Sequence, residues 1–185
     1  MDLKQLADDL EVSDRTLRRA ALKGTIHDWR RGPKGRVEVP VQELLYLERS
    51  WPLLDALVSE LRTLPNVRLA VLFGSRARGD DRADSDLDVF VRLAESSLRA
   101  RGQLVARLET ALPQQRVQIV EAEDANSLLL SDVIRDGRVL VDRDDEWQRL
   151  RRRRRQIEGE AQTQRLALEH EVFAGLDALF AEAGV

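Results

Sequence analysis

The chain contains no cysteine. That excludes disulfides, thiol catalysis and cysteine metal sites, and it fits a cytoplasmic protein. Lysine is almost missing as well. Lys4, Lys23 and Lys34 stand among 30 basic residues, and the rest are arginine. A bias that broad is first a matter of composition, so arginine clusters are weighed by where they fall. No apolar run approaches the ~20 residues of a membrane-spanning helix, and Met1-Asp2-Leu3-Lys4 lacks the apolar stretch of a secretory signal. What is present is 185 residues, 43% hydrophobic and 34% charged, enough for one or two small domains with a sizeable core. The net charge of −3 says little, because the charges are unevenly placed.

Three segments are expected: 1–50, 51–144 and 145–185. In the first, Leu3, Leu6, Ala7 and Leu10 recur at i, i+3, i+4 and i+7, one face of a short helix. Ser13 reads as the N-cap of a second helix from Asp14 to Lys23, and Gly24 as its stop. Gly32-Pro33-Lys34-Gly35 is a turn, and Arg36-Val37-Glu38-Val39 alternates, which predicts a small hairpin. Two short helices, a tight turn and a hairpin read as a winged helix-turn-helix. Between Arg15 and Arg36 there are eight basic residues and one acid, Asp28. Arg15, Arg18, Arg19, Arg30, Arg31, Lys34 and Arg36 are therefore candidate contacts to DNA phosphates. The segment resembles the excisionase-like and MerR-like helix-turn-helix domains through VSDRTLRRAALKG followed by GRVEVP. A connecting helical pattern follows, and Pro52 is expected to interrupt it.

The central segment alternates strand and helix patterns, which predicts an α+β domain with a mixed sheet and helices on one face. Its chemistry lies in GSRARGDDRADSDLD, residues 74–88. A buried-strand pattern, Leu69 to Phe73, runs into Gly74-Ser75. Ten residues later Asp86 and Asp88 open another strand, two apart and so on one side. Gly74 lets a phosphate approach the backbone, and Ser75 adds a hydroxyl and an N–H at a helix start. Two carboxylates about 4 Å apart repel by roughly 4 kcal/mol at an effective dielectric near 20. A cation relieves that repulsion, and Mg²⁺ with substrate phosphates is the natural choice.

These residues resemble the nucleotidyltransferase superfamily that includes DNA polymerase β, in its minimal nucleotidyltransferase (MNT) branch. The resemblance rests on Gly-Ser, ten residues, Asp-x-Asp, with Arg76-Ala77-Arg78-Gly79 between, and covers roughly residues 66–142. It implies that Gly74 and Ser75 hold a triphosphate, that Arg76 or Arg78 neutralises phosphate charge, and that Asp86 and Asp88 are catalytic and ligate Mg²⁺. One departure stands out. The family supplies a third carboxylate from a later strand, where this chain has Val117-Gln118-Ile119-Val120. Glutamine is no base and a weak metal ligand. Either another acid such as Glu123 substitutes, or two carboxylates suffice, or nucleotide binds without turnover.

The tail carries Arg151 to Arg155 and then an apolar stripe of Leu168, Val172, Phe173, Leu176, Leu179 and Phe180, expected as an amphipathic helix kinked at Gly159. The combination resembles the antitoxin of HEPN–MNT toxin–antitoxin pairs. It implies an Mg²⁺-dependent adenylyltransferase that takes ATP as substrate and a cognate toxin as acceptor, with DNA binding for autoregulation. A homo-oligomer is compatible with it. The alternatives are a non-catalytic regulator that senses nucleotide or binds a partner, and a small-molecule nucleotidyltransferase.

Overall fold

The computed structural model describes residues 3–32 and 37–182, with side chains through 173. The first module holds α1 (Leu3–Asp9) and α2 (Asp14–Lys23). The Ser13 hydroxyl accepts the Thr16 N–H at 3.1 Å and so starts α2, and Gly24 ends it at φ 88°. A short antiparallel hairpin follows, β1 (Arg30–Arg31) with β2 (Val37–Glu38).

Helix α3 (Val41–Arg62) then runs unbroken through Pro52. The interruption expected there is not found, and the division near residue 50 falls inside a helix. An interior proline costs about 3 kcal/mol. Burial of Trp51, Leu54, Leu57 and Leu61 offsets that cost. One hydrophobic core therefore passes from Leu6 and Leu17 through Leu47 and Leu54 to Ala70, Leu72 and Leu108. The N-terminal module and the sheet are not joined by a linker; they share this core.

The central sheet is mixed, in the order β5-β4-β3-β6. Strand β3 (Val67–Phe73) lies antiparallel to β4 (Leu87–Leu93) and to β6 (Arg138–Asp142), and β4 runs parallel to β5 (Val117–Glu121). The crossover between the parallel strands is α5 (Leu98–Ala111), as a parallel pair requires. Helix α4 (Gly74–Arg78) fills the turn after β3, and α6 (Ser127–Asp136) precedes β6.

Helices cover both faces of the sheet, which corrects the one-face expectation. Ala70 and Leu72 of β3 face α3 and α5, while Leu69 and Val71 pack with Val133, Trp147, Leu150 and Ile157. The second group comes from α6, α7 (Glu146–Arg152) and α8 (Arg154–Glu182). Strands buried on both sides lose alternation, which hides the second face from the sequence. The tail breaks at Arg153, between α7 and α8; at Gly159, where a kink was expected, α8 continues. Leu168, Val172 and Phe173 are exposed on α8; the side chains of Leu176, Leu179 and Phe180 lie outside the described residues.

Candidate functional site

The pairing register gathers the predicted acids at one end of the sheet. Asp88 lies opposite Phe73 of β3 on one side and opposite Gln118 of β5 on the other. Asp86 precedes β4, and Leu87 between them is fully buried. Alternation along the strand thus turns both carboxylates away from the core. Gly74 follows Phe73 at φ 74°, in the left-handed region. A Cβ added there would collide with the Asp88 carboxylate oxygen Oδ2. The bare Cα of Gly74 therefore makes room for an acid as well as for any phosphate. Gly74→Ala is expected to cost about 1–2 kcal/mol in backbone strain alone and to displace Asp88. A melting temperature below that of the native chain checks this.

The electrostatics are those of a site short of positive charge. Burial raises the Asp88 pKa, the negative charge on Asp86 raises it further, and the Arg78 guanidinium opposes them. Oδ1 of Asp86 is buried and has no hydrogen-bond partner. The nearest cation to it is Arg116, whose Nε stands 3.6 Å away. A carboxylate oxygen without a hydrogen-bond partner, in a pair of acids that repel one another, is a fit for a divalent cation. Among the described residues, however, no group of three or more His, Cys, Asp and Glu is placed to hold a metal. Asp86 and Asp88 need further oxygens, which a nucleotide's phosphates would provide.

The third place is filled by Gln118, exposed and in register with Asp88. Neither nearby acid replaces it. Glu121 is buried on the other side of β5 and bonds Arg101 at 2.5 Å. Glu123 lies past the far end of β5 and pairs with Arg92 at 3.8 Å. That removes Glu123 as a substitute: Gln118 stands near the start of β5, the strand runs roughly 10 Å further to Glu121, and Glu123 lies in the turn beyond that end.

Arg76 points its Nη1 to Asp81 at 2.9 Å and its Nη2 to the Ser85 carbonyl at 3.0 Å. It thus closes the loop between α4 and the aspartates. Arg78 bonds Asp80 at 3.1 Å and approaches Asp136 at 3.5 Å. A cleft of about 750 Å³ between α3 and α5, lined by Leu64, Leu93 and Leu104, contains none of the expected site residues.

In the first module Arg15, Arg19 and Arg31 are exposed and make no ion pair among the described residues. Arg18 is held by Asp14 at 2.5 Å and Arg30 by Glu38 at 3.0 Å; Lys34 and Arg36 lie outside the described residues. A further cleft, about 360 Å³, sets Arg151 and Arg154 beside Lys23 at the end of α2.

Sequence reasoning missed four polar residues behind the site: Glu43, Tyr46, Arg49 and Arg138. The three on α3 had one signal, spacing, since 43, 46 and 49 recur along a single face of that helix; Arg138 on β6 had none.

Residues 55–146 match the family described as polymerase beta, nucleotidyltransferase. Protein adenylyltransferase MntA of Shewanella oneidensis is 33% identical over 86 residues, 45% of this chain and 61% of that protein. The match thus spans less than two thirds of the relative's length. A crystal structure of a toxin–antitoxin with AMP-PNP superposes with a TM-score of 0.55 at 25% identity, covering 65% of this chain and 98% of that one. A structure of a tri-AMPylated Shewanella oneidensis HEPN toxin in complex with MNT antitoxin gives 0.52 at 23% identity, over 67% and 98%, and speaks to the fold alone.

Proposed function

Since residues 55–146 match the polymerase beta nucleotidyltransferase family, we propose that this chain transfers AMP from ATP to a hydroxyl of a partner protein, in the manner of an antitoxin acting on its toxin. One observation carries the reading: Asp88 sits against the bare Cα of Gly74 and feels the charge of Asp86, whose Oδ1 is buried without a hydrogen-bond partner. The adenylyltransferase relative supports a protein as acceptor. Gly74 and Ser75 face the triphosphate, and Arg76 serves it through the loop it closes. Asp86 and Asp88 would hold Mg²⁺, which when bound neutralises charge on the phosphates and the attacking oxygen. The acceptor oxygen forms a bond to the α-phosphorus, the α–β bridge breaks, and pyrophosphate leaves with that electron pair. The acceptor's proton passes to a carboxylate or to water, because Gln118 cannot take it.

The test uses α-labelled ATP, magnesium chloride and the product of the neighbouring gene. Label is expected on that protein with the native chain, and none with Asp86→Asn/Asp88→Asn. Absence of label with every nucleotide, while nucleotide still binds, would favour a second reading supported by Gln118: a nucleotide-sensing regulator without turnover.

The exposed cations of α2 and β1 support DNA binding as the output of the N-terminal module. With about five phosphate contacts, the log–log dependence of affinity on salt is expected to have a slope near −4.5. Arg15→Ala/Arg19→Ala is expected to reduce that slope by about 2 units, measured by anisotropy with a duplex. A slope unchanged by the double variant would remove the assignment.

A further inference from the structure

The short helix that carries Gly74 and Ser75 is held from outside. Helix α4 has five residues, too few to be stable alone. Its last carbonyls lack helical partners and meet three donors from elsewhere in the chain. Tyr46 Oη donates to the Arg76 carbonyl at 3.1 Å, Arg138 Nε to the Ala77 carbonyl at 2.6 Å, and Arg49 Nη2 to the Gly79 carbonyl at 3.0 Å. Two of the donors are cations at a helix C-terminus, where the dipole favours them. Gly79 lies so close to the Tyr46 ring that a Cβ would come within 2.8 Å of it.

The donors themselves are fixed by the N-terminal module. Arg138 is 3% exposed and Glu43 6%. The guanidinium bonds both Glu43 oxygens, at 2.5 and 2.8 Å, and lies 3.6 Å over the Tyr46 ring. Its Nη1 also donates to the Thr25 carbonyl at 3.2 Å, and Glu43 accepts the His27 N–H at 2.8 Å. The His27 ring is anchored in turn to the Gly137 carbonyl, and burial pushes its pKa down. An unbroken set of bonds therefore leads from the end of α2 through Glu43 and Arg138 to α4.

We propose that Glu43, Tyr46, Arg49 and Arg138 are positioning residues of the nucleotide site, and that the N-terminal module is thereby built into that site. The proposal rests on the reading that the Gly74–Ser75 turn holds ATP. None of these residues bonds Asp86 or Asp88, although Arg49 also pairs with Asp81 of the intervening loop at 2.9 Å. They fix where α4 begins, and so how Gly74 stands against Asp88. A misplacement of about 1 Å at such a point costs about 10²-fold in rate.

Tyr46→Phe removes one donor, Arg49→Met removes another together with its 2.9 Å ion pair to Asp81, and both leave the Glu43–Arg138 pair intact. In the full chain with magnesium chloride, the double variant is expected to raise the Kd for ATP about 10-fold, by calorimetric titration, while it melts within a few degrees of the native protein. A second readout is amide exchange at His27. ATP is expected to slow it in the native chain and not in Arg138→Lys, which keeps the charge but loses the fork. A purely structural role would lower protection equally with and without ATP. A folded Tyr46→Phe/Arg49→Met variant that binds ATP as the native chain does would overturn the positioning role and leave the nucleotide reading standing. A native chain that binds no ATP would overturn the nucleotide reading itself.

Discussion

Asp88→Asn is expected to lower nucleotidyl transfer by at least about 10²-fold and, in the absence of nucleotide and metal, to make the protein slightly more stable. The two effects share a cause. Burial and Asp86 raise the Asp88 pKa in the folded state. A carboxyl raised by folding favours the native state at low pH, and that contribution is lost as pH rises through its folded pKa. At neutral pH the ionised pair is a net burden, which asparagine removes. The gain is held to about 1 kcal/mol or less, because the group is half-exposed and solvent screens it. Melting curves across pH check the sign: the native chain declines as Asp88 ionises, and the variant declines less. Activity runs the other way over the same window, rising as Asp88 loses its proton and becomes able to bind a cation. Gln118→Asp gives the reciprocal case. A third carboxylate in register with Asp88 is expected to lower the melting temperature without divalent cation and to raise both turnover and cation-dependent stabilisation with it. A Gln118→Asp chain stabilised equally with and without magnesium chloride would argue against a cation at this end of the sheet.

The acid pair was legible because its determinants are local. Gly74 to Asp88 is one stretch, strand alternation alone puts Asp86 and Asp88 on one side, and the same alternation locates Gln118. The caps of α2 at Ser13 and Gly24 were legible for the same reason: each is a short-range match of residue to backbone. What the sequence did not yield depends on contacts between distant residues. Pro52 reads as a breaker, and only the shared core around Leu54 and Leu57 shows why α3 continues. The second covered face of the sheet needed α6, α7 and α8, whose apolar residues could as well have met a partner. The Gly79 carbonyl needed Arg49, thirty positions away, and the Ala77 carbonyl needed Arg138, sixty-one away. Even at Gly74, where the sequence points to freedom toward a phosphate, the side chain nearest the bare Cα is that of Asp88.

Glu43→Leu is expected to destabilise the chain by about 3–5 kcal/mol, because it leaves the Arg138 guanidinium buried and unpaired. For a protein of this size that is a fall of roughly 6–20 °C in melting temperature. The bonds of Arg138 to the Ala77 and Thr25 carbonyls remain, but carbonyl dipoles do not replace a carboxylate. Arg138→Leu is expected to cost a similar amount, since it strands the carboxylate and frees two carbonyls. The double variant Glu43→Leu/Arg138→Leu is the informative one. A buried ion pair replaced by apolar residues of similar volume is often neutral or better, because the desolvation of both charges is avoided. The double variant is therefore expected to melt well above the sum of the two single effects, with a remaining deficit from the Ala77 and Thr25 carbonyls and the His27 N–H that lose their partners. Ion pairing as such would then contribute little to stability. If Glu43 and Arg138 are there to aim α4, the double variant folds and binds ATP poorly, since the Ala77 carbonyl has lost its donor and Tyr46 the cation that stacks on it. Thermal melts and ATP titration on the same four proteins separate the two roles: non-additive melting temperatures report the pairing, and a weakened ATP affinity shared by the folded double variant reports the positioning.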